Sequence, residues 1–87
     1  AYGTDPVQVQ ETLASVAKAH TKVLDYPAPY SLFKGFGNSS LDFVVRFWTS
    51  DFNNWIYIAS EVTVGIEKAL REAGITIPPI LNYDKAK

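Results

Sequence analysis

The chain has no cysteine among its 87 residues. Disulfide scaffolds, thiolate metal sites and cysteine nucleophiles are therefore excluded. It has no methionine either, position 1 included, and reads as a chain processed or excised from a longer one, with excision the expectation. A single histidine, His20, leaves any metal site to be built from carboxylates around one imidazole. No apolar run approaches the ~18 residues that span a bilayer, and nothing reads as a signal peptide. Charge of one sign is also missing: eight Lys and Arg face nine Asp and Glu, for a net charge of −1. Nucleic-acid binding needs a concentrated positive field, and Lys85 and Lys87 at the end of the chain do not supply one. No internal repeat or low-complexity segment is present.

What the chain has is apolar and aromatic weight, 47% and 14% of its residues. That is ample for one small domain with its own core. The strongest local signal is the alternation of Leu41, Phe43, Val45 and Phe47 against Asp42, Val44, Arg46 and Trp48. A side-chain period of two is what a pleated strand produces. Gly37-Asn38-Ser39-Ser40 before it is turn chemistry, and Leu32 to Phe36 is a shorter strand. Together they predict a β-hairpin.

Two helices flank the hairpin. Asp5 can cap a first helix with Pro6 at its opening position and Gln8 where a capping-box partner sits. Val9, Leu13, Val16, Ala17 and His20 follow helical spacing, which predicts a helix from about Pro6 to His20. Pro27 and Pro29 prevent its continuation. Ser50-Asp51 offers capping for a second helix whose buried stripe is Trp55, Ile58, Ala59, Val62, Ile66, Ala69, Leu70 and Ala73. Gly74 closes it where a left-handed residue is preferred. Ile75-Thr76-Ile77 is a short strand ended by Pro78-Pro79, and Ile80 to Lys87 shows no clear period.

Ala1-Tyr2-Gly3 reads as the end of a strand cut off upstream. The order is then β-α-β-β-α-β. It predicts an α+β fold, a ferredoxin-like split βαβ two-layer sandwich with a truncated first strand. The expected division is a domain over residues 1–79 and a C-terminal tail over 80–87. The expected core is Val9, Leu13, Val16, Leu41, Phe43, Val45, Phe47, Trp55, Val62, Ile66 and Leu70.

No catalytic constellation emerges. His20 ends an apolar stripe, where a cation would suit the helix C-terminus, so its expected role is structural. Gly35-Phe36-Gly37 lacks the third glycine and following helix of a phosphate loop and reads as hairpin-turn glycine instead. Asp42 and Arg46 share a strand face and should form or support a surface ion pair. Asp51, Glu61 and Glu67 are placed by no motif, and Ser39-Ser40 has neither an elbow context nor a base. The expectation is no enzyme, no cofactor, no metal, and no catalytic or cofactor-binding residue.

One feature exceeds the needs of a core. No basic residue lies between Arg46 and Lys68, while Trp55-Ile56-Tyr57-Ile58 are contiguous. A two-layer domain buries one stripe of that helix, leaving Ile56 or Tyr57 exposed. Val44 and Trp48 lie opposite Phe43 and Phe47 on a sheet with helices on one face only. Left-over apolar side chains of this kind imply contact with another subunit or domain.

Three segments carry a family likeness: Ala1-Tyr2-Gly3-Thr4-Asp5-Pro6 with Val16-Ala17-Lys18-Ala19-His20, Gly35-Phe36-Gly37-Asn38-Ser39-Ser40-Leu41-Asp42-Phe43 with Arg46-Phe47-Trp48, and Ala69-Leu70-Arg71-Glu72-Ala73-Gly74-Ile75-Thr76-Ile77-Pro78. In this order the chain resembles the cytoplasmic C-terminal α/β domain of the small-conductance mechanosensitive channel (MscS-like) family. The resemblance implies part of a cytoplasmic cage beneath a bacterial-type inner-membrane pore. It also implies a homo-heptamer in the intact channel, packed against the channel's other domains and flanked by solute portals used in hypoosmotic shock. This piece itself would neither enter the membrane nor bind nucleic acid. After Pro78 the sequence departs from the family pattern, which continues toward a small barrel at the cage base. The other function class open to the residues is a small-molecule or metal-sensing regulatory module on a ferredoxin-like fold.

Overall fold

The computed structural model describes residues 5–37, 40–75 and 79–85, with side chains placed for 5–35 and 42–75. Helix α1 spans Pro6–Ala19, strand β1 Tyr30–Gly37 and strand β2 Ser40–Phe47. A 3-10 turn at Phe52–Asn54 leads into helix α2, Trp55–Glu72, and strand β3 covers Pro79–Lys85.

The ends of α1 follow from its sequence. The Asp5 carboxylate accepts the Val7 N–H at 3.0 Å, and Pro6 fills a position where no N–H is needed. His20 is already extended, so the helix stops one residue short of the expected end. The second helix starts later than Ser50-Asp51 predicts. Asp51 caps the 3-10 turn, and both its carboxylate oxygens accept from Asn54 Nδ2 at 3.1 Å. Gly74 closes α2 as expected. With φ at +75°, its N–H reaches Arg71 O at 3.1 Å and the Ile75 N–H reaches Leu70 O at 3.0 Å. That is the pair of bonds a Schellman motif makes.

The hairpin forms in the expected place, with β1 longer than Leu32 to Phe36 because pairing continues back to Tyr30↔Arg46. Gly35 is not in the turn. It lies within β1 at φ +149°, where the register slips between Phe33 and Gly35 around Lys34. A bulge in a strand calls for such a residue.

Two expectations about topology need correction. Residues 80–85 are strand, not tail: β3 pairs in parallel with β2 from Leu41↔Pro79 to Phe47↔Lys85. Its Pro79 opens the strand, a position where a ladder N–H can be spared. The segment is held by the backbone ladder of β2, so it needs no marked alternation of its own. The sheet order is β1-β2-β3. Among the described residues, β2 and β3 are direct neighbours joined through α2, a plain βαβ unit. The split form would place another strand between them. The α+β class stands. The expected strand at Ala1-Tyr2-Gly3 lies outside the described residues, as does Thr76-Ile77 of the expected Ile75–Ile77 strand; Ile75 itself follows α2 outside any strand.

One cluster forms the core: Val9, Leu13 and Ala17 of α1, Val23 of the connection, Phe43, Val45 and Phe47 of β2, and Ile58, Ala59, Val62, Ile66 and Leu70 of α2. Both helices thus cover the same sheet face. Val16 and Trp55, expected inside, are half-buried and pack against the cluster; the Leu41 side chain lies outside the description. The helices approach closely at Gly65, where an added Cβ would meet Val16 Cγ1 at 2.9 Å.

Candidate functional site

The side chains that could have carried chemistry are dispersed, each engaged locally. His20 Nε2 lies 2.6 Å from Glu61 Oε1, and Glu67 accepts from Arg71 at 2.7 Å one helical turn away. Asp51 holds Asn54. These carboxylates converge on no common point, and among the described residues no group of three metal-capable side chains assembles. Asp42 and Arg46 share a face as expected, and Arg46 Nη1 donates to Tyr30 Oη at 2.7 Å. Its guanidinium also lies 5.6 Å from the centre of the Tyr30 ring. The alternation of β2 predicted the face; Tyr30 was missed because Pro27 and Pro29 disguise the start of β1.

The more informative feature is what remains uncovered. On β2 the buried residues Phe43, Val45 and Phe47 alternate with half-buried Asp42, Val44, Arg46 and Trp48. Trp48 stacks obliquely on Tyr30 with ring centres 6.0 Å apart. Leu32, paired with Val44, is 49% exposed. This sheet face carries an aromatic and aliphatic surface with Arg46 set into it, and neither helix covers it.

A second apolar surface lies on α2. Both Ile56 and Tyr57 are open to solvent, at 64% and 68% exposure, and Val64 is at 66%. Tyr57 and Val64 are seven residues apart, two turns along the side opposite Ile58, Val62, Ile66 and Leu70. Phe52 in the preceding 3-10 turn is also exposed. A soluble monomer gains nothing from presenting large side chains in such runs, whereas an interface uses them. Among the described residues no helix is long and apolar enough to cross a membrane.

The family model described as mechanosensitive ion channel MscS, C-terminal, matches residues 1–77. No curated protein and no solved structure matches the chain. The matched residues take in all three segments on which the sequence resemblance rests, apart from Pro78, and they end just before β3.

Proposed function

This chain belongs to the MscS C-terminal domain family of mechanosensitive ion channels, and from that premise we propose that it serves as a cytoplasmic cage element of such a channel. In that role it contributes to homo-oligomer assembly, a heptamer in the intact channel, and to the walls of the solute portals used in osmotic shock. Its work is packing rather than catalysis.

The observation that carries this reading is the exposed apolar face of α2, Ile56, Tyr57 and Val64, together with a separate sheet face that neither helix covers. An interface core is enriched in aromatic residues, and these surfaces carry Tyr57 on α2 and Tyr30 and Trp48 on the sheet. The split ferredoxin-like sheet would be reached in the full channel only if a further strand entered between β2 and β3.

Light scattering over a range of concentrations tests the proposal. A discrete multiple of the chain mass of 9.7 kDa is the expected result, and its subunit count reads the assembly directly. A strict monomer at high concentration would remove assembly from this domain's role.

A further inference from the structure

The end of α1 joins titratable chemistry to a change of chain direction. His20, its side chain 16% exposed, caps α1 in extended conformation and uses both ring nitrogens. Nδ1 accepts the backbone N–H of Lys22 at 3.0 Å; Nε2 meets Glu61 Oε1 on α2 at 2.6 Å. An imidazole nitrogen that accepts from an N–H carries no proton, so the neutral ring must hold its proton on Nε2 and donate it to Glu61. The tautomer is fixed by the Lys22 amide.

That amide belongs to a short chain of contacts. The Val23 N–H reaches His20 O at 3.1 Å and the Leu24 N–H reaches Trp48 O at 2.7 Å. Val23 is buried in the core. The turn after α1 therefore seats a core residue and ties the chain to the end of β2, while its histidine holds α2.

We propose that His20 is a pH-sensitive latch, in which protonation of Nδ1 releases the turn over residues 21–23 while tightening the α1–α2 contact at Glu61. A protonated Nδ1 is a donor facing a donor, so the Lys22 bond is lost. The Nε2–H to Glu61 bond becomes charge-assisted on the same event. Glu61 is the acidic group in contact with the ring. The cations of its own segment, Lys18 and Lys22, have exposed side chains, and within one turn of Glu61 on α2 the only other titratable side chain is Tyr57. Of the neighbouring β2 end, Phe47, Trp48 and Thr49 carry no charge. Because the two effects oppose each other, the local turn, rather than overall stability, reports the switch.

The test is an NMR pH titration of the whole chain, following imidazole nitrogen shifts and amide hydrogen-exchange protection. Above the ring's titration the spectrum should show the Nε2–H tautomer. Through the titration Lys22 should lose protection on the order of 3- to 10-fold, the size of one hydrogen bond, with the same midpoint as the ring. An Nδ1–H tautomer, or a Lys22 amide indifferent to the ring's charge, would overturn the proposal. In Glu61→Gln the side-chain oxygen still accepts from Nε2 but no longer rewards protonation. The Lys22 step should then still coincide with the ring midpoint, and movement of one without the other is also fatal. His20→Asn, whose amide oxygen can take the place of Nδ1, should keep Lys22 protected and abolish the step.

Discussion

Phe43 has no exposed surface, and its ring centre lies 5.2 Å from that of Phe33 on the paired strand. Truncating such a side chain removes its burial and leaves a cavity, so Phe43→Ala should cost about 3–5 kcal/mol. For an 87-residue domain that is a large part of the whole stability, and denaturant unfolding would measure it. An unchanged midpoint would contradict the burial. Gly65 offers a sharper test because two effects compete there. Alanine would gain up to about 1 kcal/mol in helix propensity. Its Cβ would, however, sit 2.9 Å from Val16 Cγ1, and a β-branched side chain on a helix has essentially one rotamer and cannot swing aside. Overpacking of this kind costs about 1–3 kcal/mol, so Gly65→Ala should destabilise the wild-type chain. In a Val16→Ala background the clash is gone, and the same change should become neutral or stabilising. A double-mutant cycle by thermal unfolding reads that reversal of sign.

Among the elements, the helices and hairpin were legible because each carries its own local signal. Asp5-Pro6 opens α1, Gly74 closes α2, and Leu41 to Phe47 alternates with a period of two. Gly74→Ala should accordingly cost about 1–2 kcal/mol, because a left-handed residue with a Cβ is strained; equilibrium unfolding would show it. What stayed hidden was decided between elements. Nothing local marks Pro79–Lys85 as a strand, since its partners lie more than thirty residues back on β2. Gly35 looked like a turn residue because a bulge and a turn make the same demand on φ, and the sequence does not distinguish them. The uncovered surface was half visible: Ile56 and Tyr57 could be expected outside from the width of one helical stripe, whereas the pairing of Tyr30 with Arg46 and Trp48 depends on strand register. The contribution of β3 can be tested by ending the chain at Pro78. That exposes a seven-residue ladder on β2, and unpaired edges invite pairing between chains. The shortened chain should lose its sharp unfolding transition or associate through the open edge, as circular dichroism and light scattering would record.

For the whole molecule, folding and association should be separable, because the residues proposed for each are different. The core draws on Ile58, Val62, Ile66 and Leu70 of α2, while Tyr57 and Val64 project from the other side and are two-thirds exposed. Surface substitutions that leave the core and caps alone usually change stability by within about 0.5 kcal/mol. A Tyr57→Lys, Val64→Lys double variant should therefore unfold at nearly the same denaturant midpoint as the parent, when the two are compared at a dilution where both are monomeric. Its effect on association should be large. Two ammonium groups placed in an apolar contact would have to be desolvated without partners, and truncation alone of a central aromatic anchor commonly weakens binding by 2 kcal/mol or more. The expected result is a monomer at concentrations where the parent chain is oligomeric. If the double variant assembles as well as the parent, the α2 surface is not the contact, and the open sheet face around Leu32, Val44 and Trp48 becomes the surface to substitute. If instead the variant is strongly destabilised as a monomer, Tyr57 and Val64 support the fold itself, and the division of α2 into a core side and an assembly side fails.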